Sequence, residues 1–202
     1  EPLFNHEDLD GLMSLVEGVD YGDLIGLDGL GVRLHDAGHI LGSAIVEIIW
    51  QNGGSDKKIY FSGDLGNPPT PLLRPTEKIT DADYIVVESA YGDRVHEGRE
   101  ERRSRLVSII EETIERGGVL MVPSFAIERT QELLYELNDL FNANLIPRVP
   151  VFVDSPLAIK MTGVYQKHPE YFNKETAYLI NSGDDIFNFP GLKMTSSTEE
   201  SK

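Results

Sequence analysis

Apolar positions fall into two different rhythms along the chain. Up to about residue 90 they form short extended runs: 31–36 (GVRLHD), 44–50 (AIVEIIW), 58–61 (KIYF) and 84–87 (YIVV), preceded by a helical stretch at about 7–16. Residues 51–54 (QNGG) form a turn signal, so 44–50 and 58–61 are expected to pair antiparallel. Beyond that point the spacing becomes helical. The segment 97–116 places Leu106, Ile109, Ile110 and Ile114 on one face and stops at Gly117–Gly118. Residues 127–141 do the same with Leu133, Leu134, Leu137, Leu140 and Phe141. Strands are expected at 119–122 and 149–153, the second followed by a helix from Ser155–Pro156 to about Lys167. Helix and strand alternating in this way predict a parallel sheet with right-handed crossovers, so the fold class is α/β.

Composition sharpens the picture. A hydrophobic fraction of 40% in 202 residues supports a buried core, and with no cysteine there is neither a disulfide framework nor a thiolate metal site. Any zinc must rest on His and carboxylates. No apolar run approaches the roughly 20 residues of a membrane-spanning helix, and the opening EPLFNHEDLD lacks a basic and an apolar leader region. The expectation is a soluble, cytoplasmic protein with no membrane partner. The formal charge of −16 argues against a broad basic groove on this chain. Residues 1–95 hold 17 acids and 6 bases, while 96–202 hold 17 acids and 12 bases, so the charge divides where the rhythm changes. Two domains, 1–95 and 96–202, are expected.

The candidate chemistry sits at strand ends, where rigid elements deliver side chains to one edge. Asp36 and His39 lie in the loop DAGHILGS, Asp64 follows the strand in IYFSGDLGN between Gly63 and Gly66, and Glu88 ends YIVVE. Imidazole and carboxylate on glycine-flanked loops suit a divalent metal. A hydrogen-bonded loop histidine and a turn-forming aspartate account for the same residues. His6, His35, His96 and His168 form no ligand pair by spacing, and His35 reads as structural. In VFVDSPLA, Ser155 is an N-cap with Pro156 at the first helical position, and a helix N-terminus past a parallel strand favours phosphate. LMVPSFAIERT repeats the arrangement with Ser124 and Arg129; simple capping explains either motif taken alone. The mixed-charge run 97–105 (EGREERRSR) reads as a solvated helix face with i,i+4 pairs.

Taken in order, AGHILGSA, FSGDLGN, ESAYGDR, VPSFAIERTQELLYEL and VDSPLA resemble the metallo-β-lactamase-fold nucleases of the β-CASP family, above all its bacterial and archaeal RNA-processing ribonucleases. The resemblance runs from about Pro2 to Lys202. It implies a partial metallo-β-lactamase αββα sandwich followed by a β-CASP domain, incomplete at its C-terminal end, whose parallel sheet is flanked by helices. It implies that His39 and Asp64 are metal ligands, Asp64 bridging two zinc ions, and that Glu88 is the catalytic-site acid that orients a metal-binding histidine. It further implies RNA as substrate, with Ser124, Phe125, Arg129, Asp154 and Ser155 as candidate contacts, hydrolysis by a zinc-activated hydroxide, and a homodimer in the full-length form.

Departures from the family pattern accompany these implications. The H-x-H-x-D-H signature and the later β-CASP histidines do not occur in the 202 residues, and position 90 is Ala where Thr or Ser is usual. The sequence therefore reads as an internal fragment that holds two of the metal ligands, expected neither to bind two zinc ions tightly nor to cut RNA by itself. A non-catalytic β-CASP scaffold binding RNA or a protein partner, and a DNA-directed nuclease of the same family, are the competing readings.

Overall fold

A computed structural model describes residues 4–95, 98–197 and 199–201; His96 and Glu97 lie outside the described residues. The chain enters through α1 (His6–Met13), where Asn5 and Asp8 form a reciprocal capping box. It then runs β1 (Leu24–Leu27), β2 (Leu30–Asp36), β3 (Ala44–Asn52) and β4 (Ser55–Phe61) as an antiparallel meander, to which β5 (Tyr84–Val86) adds in parallel beside β4. The expected pairing of the second and third runs is present, with Val46 opposite Phe61 and Ile48 opposite Ile59. The turn residues Gly53 and Gly54 both have positive φ, as a tight hairpin requires.

One face of this sheet carries a buried charge cluster. Glu47, which interrupts the apolar run of β3, is fully buried. It accepts hydrogen bonds from Arg33 (2.8 Å) and Tyr60 (2.8 Å), pairs with His35 Nε2 at 3.0 Å and lies 3.2 Å from Lys58 Nζ. These partners come from neighbouring strands because Arg33, Glu47 and Tyr60 are in cross-strand register. A buried carboxylate persists where its lone pairs are satisfied in this way.

The remaining elements are α2 (Arg99–Glu115), α3 (Arg129–Asn142), β6 (Val151–Val153), α4 (Pro156–Tyr165), α5 (Lys174–Asn181) and β7 (Leu192–Met194). Leu134, Leu137, Leu140 and Phe141 of α3 are buried with Ile110 of α2, Ala158 and Tyr165 of α4, and Phe172, Phe187 and Phe189. The apolar stripe read from the sequence is therefore the buried face of α3, whereas on the α2 stripe Ile110 is buried, Leu106 half-buried, and Ile109 and Ile114 stay exposed. Leu72 and Leu73 reach across from the earlier part of the chain into this same cluster. Their segment is tied there by Asn173, whose amide donates to the carbonyls of Thr70 (3.1 Å) and Pro71 (3.0 Å). Arg103 of the mixed-charge run reaches α3 rather than only its own helix, donating to Glu136 at 3.1 Å and pairing with Asp139.

The expected strand at 119–122 is corrected. Among the described residues the parallel partner of β6 is β7, Val151 opposite Leu192 and Val153 opposite Met194, and residues 119–122 join no ladder. Val119 is 88% and Met121 84% exposed. Apolar residues become a strand only when a neighbour offers an edge in register, and among the described residues no strand pairs with 119–122. Among the described residues, no helix is long and apolar enough to cross a membrane.

Candidate functional site

Two loops at the ends of the meander strands meet. The first joins β2 to β3 and carries Asp36 and His39. Asp36 accepts the Gly38 amide at 2.8 Å, and Ser43 Oγ accepts the amides of His39 (3.1 Å) and Ile40 (3.2 Å), closing a compact turn. Burial pushes the Asp36 carboxyl up despite that amide. The second loop follows β4. Its Gly66 amide donates to the Ala37 carbonyl at 2.8 Å, and the Thr76 hydroxyl donates to the same carbonyl at 2.9 Å. The approach is close enough that a Cβ on Gly66 would lie 1.9 Å from the Gly38 carbonyl oxygen. Glycine is required there for backbone to meet backbone.

This junction brings His39 Nε2 to 3.9 Å from Asp64 Oδ2. The imidazole is 31% and the carboxylate 75% exposed, so both donors face outward from a rigid base. Glu88 sits behind them. Its amide donates to Ser62 Oγ (3.0 Å), and its carboxylate accepts the Leu65 amide at 2.5 Å, directly beside Asp64. Glu88 thus grips the loop that presents Asp64.

The donor types and their separation fit a shared borderline divalent ion, since two ligands each about 2 Å from one metal lie within about 4 Å of each other. Among the described residues there is no group of three or more His, Cys, Asp or Glu side chains in metal-binding proximity. His39 and Asp64 therefore provide two donors of the three or four a zinc site takes.

The anion-site candidates do not gather in the same way. Ser155 caps α4, its Oγ accepting the Ala158 amide at 3.2 Å. Asp154 is turned toward the C-terminal segment, accepting from Thr195 (2.9 Å) and Ser201 (2.7 Å), which hold its carboxyl below the usual range. Arg129 opens α3 and pairs with Glu132 at 2.5 Å. Ser124 and Phe125 lie in the irregular segment before α3, Phe125 being 80% exposed. The common sheet edge expected for the Ser124 and Ser155 motifs is absent from the described residues because 119–122 is outside the sheet.

Sequence reasoning missed the residues that build the junction. Ser62 and Thr76 meet backbone groups 26 and 39 positions away, Ser43 closes its own turn, and Gly66 is read from the sequence only as a flank of Asp64. It also read His35 as merely structural without its two acids: Nδ1 lies 2.7 Å from Glu77 and Nε2 3.0 Å from Glu47. Burial lowers the His35 pKa, but these two carboxylates outweigh it and leave the ring above its ordinary value.

The chain is similar in sequence to several known proteins. Residues 130–202 match the family model described as the Beta-Casp domain. Ribonuclease TTHA0252 of Thermus thermophilus is 34% identical over 207 residues, covering 100% of this chain and 46% of that protein. Cleavage and polyadenylation specificity factor subunit 3 of Dictyostelium discoideum is 35% identical over 175 residues, 85% of this chain and 22% of its own length. Transcription termination factor FttA of Pyrococcus abyssi is 33% identical over 178 residues, 86% of this chain and 27% of its own. The chain thus spans less than half the length of each of these relatives.

Proposed function

Because this chain belongs to the β-CASP family, we propose that it contributes part of the active site of a metal-dependent hydrolase that cleaves RNA phosphodiester bonds. The observation that carries the proposal is the convergence of His39 and Asp64 to 3.9 Å on two interlocked loops, with Glu88 anchored beneath. Relatives named as a ribonuclease and as the endoribonuclease ysh1 of Schizosaccharomyces pombe support RNA as the substrate class.

In this reading His39 and Asp64 are two of the ligands of a zinc centre; the imidazole–carboxylate chemistry of the pair supports that metal. Bound zinc supplies a water activated at neutral pH and offsets charge on the scissile phosphate. Glu88 holds the Leu65 amide and so fixes the backbone beside Asp64, whose carboxylate would be one of the groups holding the ion. Exposed Phe125 offers an aromatic face to a single strand, and Arg129, paired with Glu132, is the cation nearest to it in sequence.

The test is twofold. Calorimetric titration of this chain with zinc should show weak binding that falls at least tenfold in His39→Ala and in Asp64→Ala; unchanged binding in both variants overturns the metal assignment. Joined to an H-x-H-x-D-H segment of the family, the chain should cut labelled RNA in zinc, with Asp64→Ala slowing it on the order of 10²-fold or more. RNA that is bound but never cut by the joined protein would favour a binding scaffold, and cleavage of DNA alone would favour a DNA-directed enzyme.

A further inference from the structure

The acid Glu128 lies far from His39 in sequence, is 2% exposed, and has a backbone that acids rarely adopt. Its φ of 62° and ψ of −60°, together with an Arg129 amide donating to the Ile127 carbonyl at 2.8 Å, make it the central residue of a γ-turn of the strained kind. A buried acid held in a costly backbone conformation is placed for a purpose other than packing.

Its side chain leads to the His39 loop. Tyr165, fully buried in α4, donates its hydroxyl to Glu128 Oε2, and the Leu41 amide in turn donates to the Tyr165 oxygen at 3.2 Å. Leu41 lies in the turn closed by Ser43 Oγ on the His39 and Ile40 amides, so a force on Leu41 reaches the His39 backbone through that turn. Tyr165 is locked by ring contacts with Phe172 and Phe187. Amide, hydroxyl and carboxylate in series polarise one another, and each strengthens the next.

We propose that Glu128 and Tyr165 are positioning residues for the metal-site loop, holding the Leu41 amide through a buried relay so that α3 and α4 fix where His39 points. The functional meaning rests on the reading of His39 as a metal ligand; the relay itself does not. Burial, opposed by the Tyr165 hydroxyl, raises the Glu128 pKa to about 7, with Glu132 adding to the rise and Arg129 opposing it. These are the charged neighbours that bear on Glu128; the rings around Tyr165 are apolar. The relay thus changes its charge near neutral pH, and its hold on Leu41 changes with it.

The test uses amide NMR on this chain, with no metal added. The Leu41 amide shift should titrate with a midpoint near 7, and the titration should disappear in Glu128→Gln, which keeps an oxygen to accept from Tyr165. It should persist in His39→Gln, which separates it from the imidazole two residues away. In Tyr165→Phe, Leu41 exchange protection should fall about tenfold, the loss of one hydrogen bond, while Leu140 in the core of α3 keeps its protection. A Leu41 shift that is flat in the wild type, or titrates equally in Glu128→Gln, overturns the relay. Equal loss at Leu41 and Leu140 would reduce Tyr165 to a packing residue and overturn it as well. Because zinc plays no part in these measurements, a failed relay leaves the metal assignment standing, and a failed zinc titration leaves the relay standing.

Discussion

At Gly66 the backbone of one site loop lies against the other, and the missing side chain is what permits it. Gly38 faces the same constraint from the opposite side: its φ is 62°, and a Cβ there would stand 2.7 Å from the Thr76 amide. Gly66→Ala should destabilise the chain by more than about 2 kcal/mol in urea unfolding, because the neighbours it meets are backbone and cannot rotate aside. A cost within 0.5 kcal/mol would mean that the loops part easily. His39 and Asp64 were legible as candidates because their glycine-flanked positions at strand ends are local features. Glu88's grip on Leu65 was not, since a hydrogen bond between residues 23 positions apart leaves no trace in spacing.

At the level of elements, the helices are where local signals served best. Ser155 was read both as a helix cap and as a phosphate contact, and its Oγ is occupied by the Ala158 amide. Ser155→Ala should cost about 1 kcal/mol of stability as a lost cap, whether or not RNA is present. A variant with wild-type stability but weakened RNA binding would favour the contact role. Strands were less legible. Residues 44–50 and 58–61 announced themselves through a turn that joins near neighbours, whereas β7 is a three-residue strand whose partner lies about forty residues earlier. Residues 119–122 have a strand composition as good as that of β6, yet composition does not decide which segment receives the neighbouring edge. The short strand β1 also escaped notice, because Leu24 and Leu27 remain exposed and gave no alternation to read.

Across the whole molecule, buried ionisable groups tie stability to pH. Glu128, whose folded pKa of about 7 lies above its ordinary 4.5, contributes stability that is complete below about pH 4.5 and lost as pH rises through 7. The full span is of order 3 kcal/mol. His35, raised above 6.5, acts in the same direction: its contribution is present below 6.5 and lost as pH rises through its folded value. Glu47 acts in the opposite sense. Burial raises it, but His35, Tyr60 and Lys58 bring it below 4.5 overall, so its contribution is present above 4.5 and lost as pH falls through its folded value. Stability followed by urea midpoint should therefore decline from pH 5 to 8.5. Glu128→Gln and His35→Gln should each remove part of the decline, and their effects should add, because the two groups belong to separate clusters. A decline of wild-type steepness in Glu128→Gln would show that Glu128 does not titrate in this range.

The sequence by itself determined the α/β class, the helices α2, α3 and α4, the buried face of α3, the hairpin of β3 with β4, and the residue types at the candidate metal site. All of these are written in periodicity, turn chemistry and strand-end position, which act over a few residues. Only the tertiary structure decided which segment pairs with β6, how Glu47 is satisfied, and that α3 and α4 reach the His39 loop through Tyr165, 124 residues from Leu41. Such contacts follow from the burial of surfaces against one another. Once a polar atom is buried it must find a partner wherever the packed chain brings one, and that choice is made in space rather than along the sequence.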